Sequence, residues 1–321
     1  MRSRLMLMVA GVALVGGMLA GEAQERTRLN PVIGLLEQGK PVFGLYAPSN
    51  RRFGPQGAAA PAPEKTPLDL AREAMGFTRS DYVFDGSLEG NFDRALPGFT
   101  NFVKAMHEAG GRMPTHPLII KTPDLGPAIG AQIATELNLG VSGLMFPKVE
   151  SAAALRAAIA AMRFTANGGT RPDDVGMAPA YWGMSEAEYR RKADLWPLNP
   201  EGELINWTII ESKEGLANVR EIAAVPGVGV LWPGAGTLRG VFSTTDANGN
   251  RVIDQAAWEN AIQTVLAACK EFKVACGYPA NANDIEMRMK QGFSVFVMGW
   301  GEAGFKAVDA GRRAGKRDTM E

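Results

Sequence analysis

Eight short, mostly apolar runs recur along the chain, and between them apolar residues return every three or four positions. Short apolar runs bounded by Gly or Pro are typical of buried strands, whereas the 3–4 spacing is typical of helices packed on one face. Strands that are apolar on both faces indicate a parallel sheet covered by helices. The predicted strands are residues 41–47, 82–85, 117–121, 143–147, 206–211, 228–232, 274–277 and 294–298.

The number of these units favours a closed barrel over an open sheet. Eight strand–helix units in roughly 280 residues have the size of a (β/α)8 barrel, the TIM barrel. The runner-up is a doubly wound open sheet, but no G-x-G-x-x-G follows the first strand to support a dinucleotide site. We therefore predict an α/β protein with one barrel domain over residues 24–321.

The N-terminus has the order of a secretory signal. Arg2 and Arg4 precede an uncharged run over residues 5–21, and small residues follow, with Gly21 and Ala23 at the positions that a signal peptidase requires. We predict a signal peptide over residues 1–23 and a periplasmic or secreted protein. The alternative is an uncleaved membrane anchor; in either case we expect no further contact with the membrane.

The charge balance excludes one class of partner. Lys and Arg total 34, and Asp and Glu also total 34. A neutral chain lacks the electrostatic footprint of a nucleic-acid-binding protein. We therefore expect a localised site for a small molecule.

The two cysteines, Cys269 and Cys276, could pair in an oxidising compartment. However, Cys269 closes a helical pattern and Cys276 lies inside an apolar run. We favour two buried free thiols.

Two irregular segments interrupt the alternation. Residues 51–67 are rich in Ala, Gly and Pro, and residues 168–203 carry Tyr181, Trp182 and Trp196. Long loops in compact domains are commonly functional, so either segment could border a substrate pocket or form an oligomer contact.

Chemistry in such a barrel is expected where the strands end, because the loops there converge on one mouth. Several acids and one cation at these ends would suit a hard divalent metal, Mg or Mn, and an anionic substrate. The two histidines, His107 and His116, fall before the third strand and are not expected at this mouth. The strand-end residues are Asp85, Glu89, Lys121, Glu150 and Glu211.

Several segments resemble one known family. The fifth strand closes with "IIES", and the sixth strand with its turn reads "VGVLWPGAGTLRG". Together these are similar to the fifth and sixth βα units of the HpcH/HpaI aldolase/citrate lyase family, whose fold is a (β/α)8 barrel of the phosphoenolpyruvate/pyruvate-binding type. Other segments similar to that family, in the same order, are "GKPVFGLY", "GLMFPKVESAAAL", "DDVGMAPAYWGMSEAEY" and "MKQGFSVFVMGW".

The resemblance implies a metal-dependent aldolase that acts on 2-oxo acids. Glu211 matches the family's metal-binding Glu, and Gly234 and Ala235 match the turn whose backbone amides hold a pyruvate-like carboxylate. An amide nest for the anion and a metal on the 2-oxo oxygen would stabilise an enolate as it forms. Members of the family associate, so the resemblance also implies a homo-oligomer.

This chain departs from the family at three positions. Where the family has a second metal ligand, an Asp, this chain has Gly236 or Thr237. The family His after the second strand has no counterpart in "DGSLEGNFD", where Glu89 is nearest. The substrate-facing Arg is Lys121, which keeps the charge but loses the bidentate fork.

Other strand-end acids could compensate for these departures. Glu150 could be a second metal ligand near Glu211, or an ordinary acid at the start of a helix. Asp85 could supply a third carboxylate, and the proton acceptor is either Glu89 or Asp85. Lys121 is predicted to hold the substrate carboxylate.

Two functions follow from the sequence. The first is a divalent-metal-dependent carbon–carbon lyase that cleaves or forms a 2-oxo acid through a pyruvate-type enolate. The second is a catalytically impaired, exported binding protein for a small carboxylate on the same barrel. We favour the first; the missing family His and Asp, and the export of a protein with aldolase-like features, are the arguments for the second.

Overall fold

The computed structural model describes residues 27–50 and 63–318. Within these ranges, eight parallel strands form one closed barrel, which confirms the predicted fold. Each strand overlaps the run from which it was predicted. The strands are β1 Val42–Tyr46, β2 Tyr82–Asp85, β3 Leu118–Lys121, β4 Gly143–Phe146, β5 Leu204–Ile210, β6 Val230–Pro233, β7 Ala275–Pro279 and β8 Val295–Met298.

Neighbouring strands pair in chain order from β1 to β8, and β4 pairs with β5 with Gly143 opposite Ile205. One further pairing closes the ring: β8 pairs with β1, with Val42 opposite Val295. Because all strands are parallel, their carboxyl ends meet at one mouth. The predicted signal segment, residues 1–23, and most of the Ala/Gly/Pro-rich loop, residues 51–62, lie outside the described residues.

Helices cover the outside of the barrel between consecutive strands. No helix in the described part of the chain combines the length and apolar character that a membrane crossing requires. The helices are α1 Pro31–Glu37, α2 Pro67–Gly76, α3 Phe92–Glu108, α4 Ile129–Asn138, α5 Ala152–Met162, α6 Ala178–Trp182, α7 Glu186–Lys192, α8 Lys213–Ala217, α9 Val219–Ala223, α10 Ala235–Val241, α11 Gln255–Phe272, α12 Ile285–Gln291 and α13 Glu302–Ala314.

The barrel interior is filled by large aromatic rings. Trp207 stacks on Trp232 with ring centroids 5.4 Å apart, and Tyr82 meets Trp207 edge-on at 5.1 Å. Two strand glycines make room for these rings: a Cβ on Gly44 would lie 2.1 Å from the Tyr82 ring, and one on Gly277 would lie 1.7 Å from the Trp232 ring. The rings therefore occupy the space that a side chain at either glycine would need, which keeps the interior closely packed.

The first helix closes the amino-terminal end of the barrel. Val32 and Ile33 of α1 are fully buried in the interior cluster. Asn30 caps the helix by accepting a hydrogen bond from the Val32 N–H, and its own N–H donates to Glu203 Oε2 at 2.9 Å. These contacts fix the helix to the start of β5 and leave the opposite mouth for the site.

The expectation of two free thiols is wrong. Cys269 and Cys276 form a disulfide, with their Cα atoms 5.7 Å apart. Cys269 lies in the last turn of α11, and Lys273 adopts a left-handed conformation (φ 55°) that reverses the chain into β7. The sequence pattern placed both residues in buried positions but did not show that this tight reversal brings them together.

The long segment 168–203 does not border the mouth of the barrel. It contains α6, α7 and a short strand, Leu195–Trp196, that pairs with the beginning of β5. The Tyr181 hydroxyl donates to the His116 carbonyl, just before β3, and the Trp182 indole N–H donates to the Gly140 carbonyl, before β4. The segment therefore packs toward the amino-terminal ends of the strands, so a role in a substrate pocket at the mouth is excluded.

We expect Gly277→Ala to destabilise the fold strongly, because its Cβ would overlap the Trp232 ring inside the barrel. Overpacking of this kind costs about 3 kcal/mol. The matched control is Gly98→Ala in α3, where a Cβ meets no atom within 4 Å; there, higher helix propensity is expected to add about 1 kcal/mol. Urea unfolding of both variants gives the comparison, and equal midpoints would contradict the packing described here.

Candidate active site

Alternation along the strands shows which side chains point into the mouth, because successive residues of a strand face opposite sides of the sheet. Ile119 and Ile209 belong to the interior cluster. Two positions further along the same strands, Lys121 and Glu211 therefore project toward the barrel axis at the mouth.

The Glu211 carboxylate is held in place from the neighbouring strand end. Its side chain is 7% exposed, and Oε1 accepts a hydrogen bond of 2.9 Å from the Lys148 backbone N–H. Lys148 adopts a left-handed conformation with φ 46°, which is costly for a residue with a side chain. The fold thus maintains an unfavourable backbone conformation that directs an N–H at this carboxylate.

Gly234 lies directly against Glu211. A Cβ at this position would be 2.4 Å from the Glu211 Cβ and 2.7 Å from Oε2. The Gly234 N–H donates to the Ile210 carbonyl at 2.9 Å, so this amide extends the sheet pairing and is not free for a ligand. Gly234 therefore leaves space for the Glu211 side chain, and its amide is already used within the fold.

The Ala235 amide is one of the donors that the turn leaves available. Ala235 begins α10, and its N–H has no hydrogen-bond partner among the described residues. The Ala235 carbonyl accepts a 2.8 Å hydrogen bond from the Trp258 indole N–H, which anchors the turn from behind. The buried carboxylate and the free amide therefore lie on adjoining strand ends.

Lys121 and Glu89 are brought together as an ion pair. Lys121 Nζ lies 2.5 Å from Glu89 Oε1, and the side chains are 14% and 42% exposed. Both were predicted as site residues, but the pairing was not. A substrate carboxylate that binds Lys121 must replace or share the Glu89 carboxylate.

The other two predicted acids, Asp85 and Glu150, make no hydrogen bond or ion pair with Glu211 or Lys121 in the part of the chain that the structure describes. Asp85 Oδ1 accepts a hydrogen bond of 2.7 Å from the Ser87 N–H and so shapes its own loop. Glu150 precedes Ser151, the N-cap of α5, and its backbone carbonyl accepts from Asn218. Within the described ranges, no three side chains of His, Cys, Asp or Glu are grouped so as to hold a metal ion.

Two residues at the mouth were not predicted. Lys148 supplies the N–H that holds Glu211, and its positive φ cannot be read from a lysine in a sequence. Tyr46 ends β1 and is 42% exposed. Its position could have been found from alternation, since Gly44 two residues earlier faces the interior ring of Tyr82.

A cavity of about 1100 Å³ opens beside the mouth, between the loops that follow β2 and β3. Glu89 is one of its lining residues, so the cavity adjoins the Lys121–Glu89 pair. Its other polar lining groups are Ser87, Asn91, Arg94, Asp124 and Gln132.

The histidines lie away from these residues, as predicted. His107 belongs to α3, and burial lowers its pKa, with a smaller contribution from the Arg112 charge. His116 precedes β3 at the amino-terminal side, and burial lowers its pKa as well.

The family of the chain is shown by direct comparison. The model of the HpcH/HpaI aldolase/citrate lyase family matches residues 104–306, more than half of the chain. The chain belongs to this family. The family comparison supports an aldolase or lyase activity.

Individual relatives agree with this assignment. The chain is 29% identical over 250 residues to a hydroxypyruvate/pyruvate aldolase of Delftia acidovorans, covering 77% of each protein. A family protein from Burkholderia cenocepacia has a similar fold, with a TM-score of 0.64, 20% identity and coverage of 90% of this chain and 98% of that one. The fold of Mycobacterium tuberculosis CitE, whose structure is a complex with magnesium and acetate, matches with a TM-score of 0.50, 16% identity and coverage of 88% and 94%.

We expect Gly234→Ala to displace the Glu211 carboxylate from the Lys148 N–H, because the new Cβ would overlap both Cβ and Oε2 of Glu211. Binding of pyruvate, measured by calorimetry in the presence of Mg²⁺, should weaken at least about 10-fold, the effect of losing one charge-assisted hydrogen bond. Gly236→Ala in the same turn is the control, since a Cβ there meets nothing within 4 Å. Equal affinities of the two variants would show that the Glu211–Gly234 contact does not matter for the site.

Proposed function

We propose that this protein is a divalent-metal-dependent carbon–carbon lyase that cleaves or forms a 2-oxo acid through a pyruvate-type enolate. The observation that carries the proposal is the contact between Glu211 and Gly234 beside the free Ala235 amide. This contact supports the proposal because it sets a carboxylate, the ligand type that a hard metal ion prefers, next to the turn that carries the free amide. The aldolase relatives supply the reaction class.

The residues at the mouth are compatible with a hard divalent ion, Mg or Mn. Such ions are commonly held by one or two carboxylates, while substrate and water oxygens complete the coordination. Glu211 would be the principal ligand, and Glu150 is the candidate for a second. When bound, the ion would polarise the 2-oxo group and stabilise enolate charge.

The protein's own groups would orient the 2-oxo acid. The Ala235 N–H would donate to the substrate carboxylate, and the Lys121 ammonium would neutralise its charge. Glu89 competes for the same ammonium in the structure, at 2.5 Å. Binding of the acid anion is therefore an exchange of carboxylate partners at Lys121, which releases Glu89 toward the substrate as a candidate proton acceptor, with Asp85 as the alternative.

The aldehyde half of the substrate would enter the cavity beside Glu89. Its polar lining offers both donors and acceptors, including Ser87, Asn91 and Gln132. Such a lining suits a hydroxylated aldehyde, whose hydroxyl groups both donate and accept. The volume, about 1100 Å³, exceeds what a two- or three-carbon aldehyde needs.

We expect purified protein to release pyruvate from a 4-hydroxy-2-oxo acid only when Mg²⁺ or Mn²⁺ is present, and EDTA to abolish the release. Glu211→Gln should lower both Mn²⁺ affinity and kcat/KM by at least about 100-fold, because the neutral amide loses the charge that the ion needs. Glu150→Gln tests the second ligand in the same assays.

The exposed acid Glu214 on α8 provides the matched control, and Glu214→Gln should leave affinity and turnover unchanged. Full metal affinity and activity in Glu211→Gln would remove the proposed metal site. The association into a homo-oligomer that the resemblance implies stays a prediction.

A second function is favoured by two observations. No grouping of three potential metal ligands occurs in the described part of the chain, and the family His and Asp are absent from the sequence. A binding protein for a small carboxylate would keep the Lys121 charge and the Ala235 amide without turnover. Binding of pyruvate or Mn²⁺ with no pyruvate release from any tested 4-hydroxy-2-oxo acid would favour this function over the lyase.

We also propose that the protein acts outside the cytoplasm. The order of residues 1–23 supports a cleaved signal, and the Cys269–Cys276 disulfide is the kind of bond that persists in oxidising compartments. Expressed in full length in a Gram-negative host, the protein should be found in the periplasmic fraction, begin at Gln24 and show no titratable thiol. Recovery from the cytoplasm with Met1 retained would contradict export.

A further inference from the structure

Tyr46 lies at the mouth of the barrel, next to the aromatic rings that fill the interior. Gly44 faces the Tyr82 ring in the interior, so alternation along β1 places Tyr46 on the same side, one layer nearer the mouth. Its ring meets Phe84 edge-on, with centroids 4.8 Å apart. Phe84 in turn stacks on Trp207, so the aromatic filling fixes the ring from below.

The Tyr46 ring also lies next to Gly86, at the edge of the cavity beside the mouth. A Cβ on Gly86, a lining residue of that cavity, would lie 3.5 Å from Tyr46 Cε1. No hydrogen bond joins the Tyr46 hydroxyl to another residue in the ranges 27–50 and 63–318, and the ring, 42% exposed, is held on one side by Phe84. An exposed ring with an uncommitted hydroxyl at the mouth is suited to meet a ligand.

The charged groups around Tyr46 favour the protonated phenol. Burial raises the pKa of Tyr46 above its usual value, and the negative charges of Glu89 and Asp85 raise it further. Lys121 is paired with Glu89. At neutral pH the hydroxyl is therefore a proton donor.

The reaction proposed above needs such a donor at the mouth. When the enolate carbon attacks an aldehyde, the oxygen of the aldehyde takes up negative charge and then a proton. Neither histidine of the chain lies at the mouth, and Asp85 and Glu89 are acceptors when ionised.

We propose that Tyr46 is the catalytic proton donor to the aldehyde oxygen, an inference that rests on the proposed lyase function. In condensation, a new carbon–carbon bond forms from the enolate, the C=O π electrons pass to oxygen, and that oxygen takes the Oη proton. Water then returns a proton to the phenolate. In cleavage the phenolate takes the proton of the C4 hydroxyl, the C3–C4 bonding electrons return to the enolate, and the aldehyde leaves.

The test separates proton exchange at pyruvate from carbon–carbon bond chemistry. With Mg²⁺ present, exchange of the pyruvate methyl protons in D₂O, followed by NMR, reports enolate formation without an aldehyde. Condensation of pyruvate with glycolaldehyde, and cleavage of the 4,5-dihydroxy-2-oxopentanoate so formed, report the step assigned to Tyr46. Tyr278→Phe is the matched control, since the Tyr278 hydroxyl contacts Arg288 on the outer side of the barrel.

We expect Tyr46→Phe to keep exchange within about 2-fold of the wild type while condensation and cleavage fall by about 10²–10⁴-fold, the contribution of a positioned acid. Retained exchange also shows that the variant is folded. Because cleavage uses the phenolate and the pKa of Tyr46 is raised, wild-type cleavage should increase tenfold per pH unit through neutral pH, and this dependence should vanish in Tyr46→Phe.

Three outcomes would overturn the assignment. Condensation within 3-fold of the wild type, as a roughly threefold change is under 1 kcal/mol, would show that another group donates the proton. A parallel loss of exchange and condensation would show that Tyr46 holds the 2-oxo acid instead. Exchange by the wild type without an adduct from glycolaldehyde or glyceraldehyde would also contradict the role. Absence of wild-type exchange with every divalent ion tested would instead remove the proposed lyase itself.

Discussion

The pairing of β4 with β5 is the constraint on which the site depends. These strands are separated in sequence by the long segment 168–203, yet they pair side by side. Beyond the last paired residues, the contact continues as two backbone donations, from Val149 to the Ile209 carbonyl and from Lys148 to the Glu211 carboxylate. The pairing of β4 with β5 therefore also fixes the Glu211 carboxylate. The strained backbone of Lys148 is tolerated because the surrounding strand pairing determines its conformation.

The aromatic rings inside the barrel pack beneath the residues of the mouth and support them. Trp232, Trp207 and Phe84 form a stack across the interior, and Tyr46 rests edge-on at its upper end. Large rings with few rotatable bonds lose little conformational entropy when they are packed, so they hold the groups above them in place. Glycine at position 277 is required because the Trp232 ring occupies the space of a side chain there.

Two of the departures from the family pattern occur in residues that pair with each other. The lysine in place of the family Arg is neutralised by Glu89, a residue in the segment where the family His is missing. Where a second acidic ligand is expected, Gly236 leaves open space. The mouth therefore contains a carboxylate, Glu211, that is fixed by a backbone donor, and a lysine, Lys121, that is paired with an acid of the protein itself.

The sequence by itself determined the architecture and placed two charged residues at the mouth. Apolar runs of strand length alternating with helical patterns predicted all eight strands, because burial on both faces leaves a continuous apolar signature. Since parallel strands end at one mouth, the strand-end positions of Lys121 and Glu211 followed directly. Local pattern was sufficient for these features because each depends on residues close together in the chain.

Only the tertiary structure decided which of these groups meet. The Lys121–Glu89 pair, the Cys269–Cys276 disulfide and the contact of Glu211 with Gly234 all depend on the distance between atoms of different elements. The same holds for the segment 168–203, whose aromatic residues pack toward the amino-terminal end because Tyr181 bonds to the chain before β3. The spacing of apolar residues determines which face of a strand or helix a residue occupies. Contacts between the ends of different strands depend on chain reversals and backbone angles, which that spacing does not encode.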